Sequence, residues 1–147
     1  MPSLNWRCVG GTDPVDLLIK YVTRGTVNHV EFLVDGTAIG AHALGGVAIR
    51  PVAPYPFELR FTAAVSQAQY DAAMAFLKAQ IGKPYDFIDI AGIVFARSWH
   101  DPGAWMCSEL WAATMEAGKI VGPMDGSINL FTPQDSLVIS CAMFRAA

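Results

Sequence analysis

Apolar and polar residues alternate from Val27 to Val34. Val27, His29, Glu31 and Leu33 fall on one side, and Asn28, Val30, Phe32 and Val34 on the other. This period of two predicts a strand, and Asp35-Gly36 directly after it is the strongest short signal for a tight hairpin. With those two residues as the loop, Val34 opposes Thr37. Counting back along both strands then sets His29 opposite His42 and Glu31 opposite Gly40. Opposed Cβ atoms lie ~4.5–5.5 Å apart, so the two imidazoles can hydrogen-bond or share a ligand, and Gly40 leaves space beside Glu31. Shorter strands are predicted at Trp6-Arg7-Cys8-Val9, at Val47 to Arg50 ending at Pro51, at Phe57 to Ala63, and as a closing strand from Val138 to Phe144 that would bury Cys141.

The helical period appears in three places. Thr12 or Asp13 can cap a first helix that has Pro14 in its first turn, Gly25 just past its end, and Leu17, Leu18 and Tyr21 as its core face. Ser66-Gln67-Ala68-Gln69 fits a capping box ahead of Tyr70, Met74, Leu77 and Ile81, a stripe that reads as core packing, and Gly82 and Pro84 end it. Cys107 to Ala117 forms a third helix that stops at Gly118. The apolar stretch Asp89 to Ala96 reads as a buried helix, and Thr132-Pro133-Gln134-Asp135 as a capped helical turn. The elements add up to a single α+β domain covering residues 1–147, with no internal repeat.

Composition narrows the function classes. The formal charge is -3 and no run of Lys or Arg occurs, which argues against a nucleic-acid partner. The longest apolar run, Ile90 to Ala96, is far too short to span a bilayer, and Met1-Pro2-Ser3-Leu4-Asn5 has no signal-peptide character, so a cytoplasmic location is expected. The three cysteines are widely spaced with no C-x-x-C pair, against a disulfide framework or a cysteine-rich zinc site. A hydrophobic fraction of 53% leaves apolar surface for a ligand, a partner or a second copy in a homo-oligomer.

The candidate chemistry centres on Trp105-Met106-Cys107-Ser108-Glu109-Leu110-Trp111. A cysteine in the first turn of a helix faces unpaired backbone N–H groups and the positive end of the macrodipole, which favour the nucleophilic thiolate. Cys8 and Cys141 lack that position and read as core. Glu109, third in this helix, can reach back to cap it, and Trp111, one turn on from Cys107, can wall a groove beside the sulfur. His100, beside Asp101-Pro102-Gly103, reads as an exposed loop residue.

Asn28-His29-Val30-Glu31, Gly45-Gly46-Val47 with Arg50-Pro51, Gly82-Lys83-Pro84-Tyr85-Asp86, and Cys107-Ser108-Glu109-Leu110, in that order, resemble the circularly permuted branch of the NlpC-type papain-like cysteine peptidases. This is the YiiX-like group, more distantly related to lecithin-retinol acyltransferases. The resemblance implies an antiparallel sheet carrying the histidines, packed against a helix whose N-terminus carries the cysteine. It also implies acyl transfer through a thioester, with Cys107 as nucleophile and His29 as base. In relatives the third, orienting residue varies, and His42 matches that position, with Glu31 as the other candidate. Tyr85 matches a family tyrosine near the nucleophile and joins the Cys107 backbone N–H as a candidate oxyanion donor.

The function expected is a cysteine hydrolase cleaving an amide of a peptide or peptidoglycan-type fragment, needing no cofactor or metal. Two alternatives remain open. An acyltransferase or thioesterase could use the same triad on a lipid or acyl substrate. A non-catalytic binding module could hold a ligand in the same groove, or zinc through the two histidines and the cysteine.

Overall fold

The computed structural model describes residues 1–87, 103–124 and 131–147. The helix expected at Asp89 to Ala96 and the loop residue His100 lie outside the described residues. The strands are β1 (Ser3–Gly10), β2 (His29–Val34), β3 (Thr37–His42), β4 (Gly46–Pro51), β5 (Phe57–Ala64) and β6 (Arg145–Ala146). They form one antiparallel sheet in the order β4-β3-β2-β1-β5-β6. Four helices accompany it: α1 (Pro14–Thr23), α2 (Gln67–Ala79), α3 (Cys107–Ala117) and α4 (Pro133–Met143). The architecture is α+β.

The β2–β3 hairpin follows the sequence count. Asp35 and Gly36 both take positive φ (48° and 77°), as a two-residue I′ turn requires, and Val34 opposes Thr37, Leu33 opposes Ala38 and Phe32 opposes Ile39. Strand alternation then gives each face its character. Leu4, Trp6, Cys8, Val30, Phe32, Ile39, Ala41, Phe61 and Ala63 point into the main core. There they meet Met74 and Leu77 of α2, Cys107, Leu110, Trp111 and Met115 of α3, and Leu137 of α4. Trp6 anchors this layer: its indole N–H donates to Ser140 Oγ at 2.9 Å, and its ring lies 5.9 Å from Trp111, which stacks on Phe131. The opposite face carries Arg7, His29, Glu31 and His42.

Several expectations are corrected. In α1, Leu17, Leu18 and Tyr21 are exposed, and Ile19 is the residue that is buried. The helix borders the cavity on the polar face through Asp16 and Ile19, and Leu17, Leu18 and Tyr21 are left on its exposed side. Val138 to Phe144 is not a strand. Thr132 caps a helix that runs on to Met143, and Cys141 is exposed on it. Its apolar residues suit either period, and docking against α3 and β1 favours the helix. In the α2 stripe, Met74 and Leu77 are buried, whereas Ile81 lies past the helix end and is exposed.

Candidate active site

Three polar side chains converge at the start of β2 and the end of β3. His29 Nε2 and His42 Nε2 each lie 3.2 Å from the same oxygen, Glu31 Oε2, and the two rings are 4.2 Å apart between centroids. The two histidines are thus brought together as the register predicts, but Glu31 stands between them. The hydrogen bond that fixes the His29 ring is to the carboxylate, and His42 shares that carboxylate instead of bonding to His29. Gly40 makes this possible, because a Cβ there would come within 2.8 Å of the Glu31 Cβ.

Glu31 is itself held from β1. Arg7 donates from Nε to Glu31 Oε1 at 2.7 Å, with Nη2 at 2.5 Å from the same oxygen. Arg7 also reaches Glu58 at 3.1 Å and the Ala53 carbonyl at 2.8 Å, and lies under the Tyr55 ring. Burial alone would push the Glu31 carboxyl up. The hydrogen bonds from His29 and His42 and the Arg7 guanidinium together outweigh it and hold the group well below the usual carboxylate range. Burial lowers His29 below an ordinary imidazole, with the neighbouring His42 adding to the effect and the Glu31 hydrogen bond opposing it. The site at neutral pH is therefore a carboxylate with a neutral His29. With Nε2 on Glu31, Nδ1 of His29 has no hydrogen-bond partner among the described residues.

Cys107 begins α3, as expected, and Glu109 Oε2 accepts from the Met106 N–H at 3.0 Å, the capping contact predicted for it. Burial pushes the Glu109 carboxyl up to about 7, aided by Asp86 nearby and opposed by that capping bond. The thiol approaches β2 at its very start, with Sγ 3.8 Å from the carbonyl of Asn28, the residue before His29. The helix-start argument for a low thiol pKa does not hold. Burial pushes the Cys107 thiol up to about 12, against the lowering effect of the backbone N–H groups of Val30, Ser108 and Cys107 itself. No hydrogen bond joins Cys107 to His29 among the described residues.

A cavity of about 440 Å³ opens on the polar face and brings His29 and His42 together with Tyr85, Tyr55, Asn28 and Arg50. Tyr85 is placed by backbone pairing with the segment before α3: the Asp86 N–H donates to the Trp105 carbonyl at 3.1 Å, and the Trp105 N–H to the Pro84 carbonyl at 3.0 Å. Trp111, expected beside a groove, is instead fully buried between Trp6 and Phe131, because its position on α3 turns inward to the sheet. Cys107 does not line the cavity. Arg7 and Glu58, the supports of Glu31, were not singled out by the sequence.

No family model matches the chain, and no curated protein matches it in sequence. In structure it is similar to the metalloprotein YiiX from Escherichia coli O157:H7, with a TM-score of 0.59 over 81% of this chain and 67% of that one, at 18% sequence identity. The chain has a YiiX-like fold. The donor atoms of His29, Glu31 and His42 all lie within 4.8 Å of one another, which is close enough to share a metal ion, and Cys107 is not in that group. Among the described residues, no helix is long and apolar enough to cross a membrane.

Proposed function

We propose that this protein is a thiol-dependent hydrolase of permuted papain-like architecture that cleaves an amide through a thioester on Cys107. The observation that carries this reading is the arrival of the Cys107 sulfur, from the first turn of a helix, against the backbone beside His29, whose Nε2 is held by Glu31 and whose Nδ1 is left unbonded. In this reading His29 is the general base, Glu31 fixes its tautomer, and His42 and Arg7 fix Glu31. Because the thiol is protonated and the imidazole neutral, the proton moves from Sγ to Nδ1 as sulfur attacks the carbonyl carbon. His29 then returns that proton to the leaving amine, and water releases the acyl group with His29 again as base. For this transfer Sγ, packed in the core beside the Asn28 carbonyl, has to rotate to within hydrogen-bond reach of Nδ1. The N–H of Cys107 and Tyr85 on the cavity wall are the candidate oxyanion donors.

A second reading is favoured by the His29–Glu31–His42 cluster and by the description of the YiiX structure as a metalloprotein. In it, the two Nε2 atoms and Glu31 Oε2 hold a divalent cation. The donor types fit zinc, and Arg7, which Glu31 neutralises here, would keep Glu58 at 3.1 Å as its counter-ion. One experiment separates the two: turnover of a panel of peptide amides and esters by wild type, Cys107→Ala and His29→Ala, before and after chelation, with elemental analysis of the same sample. Turnover that resists the chelator and is lost in both variants supports the thiol reading. Turnover that survives Cys107→Ala and follows stoichiometric metal overturns it.

A further inference from the structure

Arg50, at the end of β4, is the cation that lines the cavity beside the two histidines. Its situation is unlike that of Arg7. Arg7 has two carboxylates and a carbonyl, whereas Arg50 makes no ion pair among the described residues and donates only from Nη2, to the carbonyl of Leu44 in the β3–β4 turn. Its Nε is shielded from water and has no hydrogen-bond partner among the described residues. The two acids on the cavity wall do not serve it. Asp13 Oδ1 accepts from the N–H groups of Val15 and Asp16 at 2.9 Å each, and Asp16 accepts from Asn28 Nδ2 and from the Asp13 N–H. Both are occupied in capping α1.

We propose that Arg50 anchors a carboxylate on the molecule that fills this cavity, so that the substrate of the proposed hydrolase is an acyl or peptidyl compound bearing a free carboxylate. A planar carboxylate matches the guanidinium of an arginine that lines the cavity and makes no ion pair of its own among the described residues. One arginine faces a cavity that already holds the Asp13 and Asp16 carboxylates, which disfavours a doubly charged phosphate more than a monoanion. The remaining lining from Val15, Ile19, Ala41, Leu44 and Tyr55 offers apolar surface to the rest of the ligand. The identity of the occupant as a substrate rests on the thiol-hydrolase reading; the carboxylate anchor does not.

The test is therefore a binding measurement that needs no turnover. N-acetyl-L-alanine, its neutral amide and inorganic phosphate are titrated by calorimetry into the full chain as wild type, Arg50→Gln and Arg50→Lys, with circular dichroism confirming that each variant is folded. Wild type should bind the acid about tenfold or more tightly than the amide, the size expected of a charge-assisted hydrogen bond. Arg50→Gln should erase that preference while leaving amide binding unchanged, and Arg50→Lys should retain part of it. Equal binding of acid and amide by wild type, no binding of either, or a preference that survives Arg50→Gln overturns the proposal. Phosphate binding more tightly than the acid overturns the choice of a monoanion. Should Arg50→Gln fail to fold, Arg50→Lys decides alone: a preference equal to or above that of wild type overturns the proposal, and a partial one supports it. Failure of the hydrolase reading would show as absent turnover with the acid preference intact.

Discussion

Glu31→Gln removes the charge at the centre of the site and keeps its shape. Arg7 is 1% exposed and loses its closest carboxylate, keeping Glu58 at 3.1 Å and the Ala53 carbonyl at 2.8 Å. Breaking a buried ion pair by removing one partner costs about 3–5 kcal/mol, and the two remaining contacts place this case at the low end, about 3 kcal/mol. For a chain of 147 residues that corresponds to a melting temperature lower by about 6–12 °C. The effect has a pH signature. The Glu31 carboxyl titrates well below its unfolded value, so its contribution is fully present above the ordinary carboxylate range and is lost as pH falls toward the folded value. The gap between wild type and Glu31→Gln should be widest near pH 7 and narrow below about pH 4. Urea unfolding of both proteins from pH 3 to pH 8 measures it. A gap under about 1 kcal/mol at pH 7, or one that does not change with pH, would refute the reasoning.

Iodoacetamide at pH 8 should label Cys141 in the folded protein and spare Cys8 and Cys107, whose thiols burial pushes up to about 12; peptide mapping that finds Cys107 labelled first would contradict this. Glu109→Gln keeps the capping oxygen and removes a carboxyl pushed up to about 7, so its stability relative to wild type should rise by up to about 3 kcal/mol between pH 5 and pH 8, read by thermal melts across that range. Gly40→Ala sets a Cβ 2.8 Å from that of Glu31, and should cost about 1–3 kcal/mol in denaturant melts and weaken the His29 and His42 contacts, seen as shifted imidazole NMR signals.

How much the sequence revealed depended on whether the signal was local. The Asp35-Gly36 turn sets a register by counting, and that count alone places His29, His42, Glu31 and Gly40 relative to one another. The Ser66 capping box and the Cys107 helix start are equally local. Arg7 and Glu58 escaped because they reach the site through β1–β2 and β1–β5 pairing, which joins distant strands with no short turn to count across. The thiol's state escaped for a related reason: its position at the helix start is written in sequence, but the depth of its burial is set by packing on β2. Trp111 and α4 show the same limit, since an apolar residue declares that it is buried without declaring against what.

The central claim, acyl transfer through Cys107, is tested most directly by intact-protein mass spectrometry during exposure to activated esters and peptide amides, quenched with acid and followed by peptide mapping. The account predicts an added acyl mass on Cys107 that is absent in Cys107→Ala, and that forms slowly in His29→Ala, because the base is lost while the nucleophile remains. Turnover of those substrates with Cys107 unmodified at every time point, and undiminished in Cys107→Ala, would contradict it.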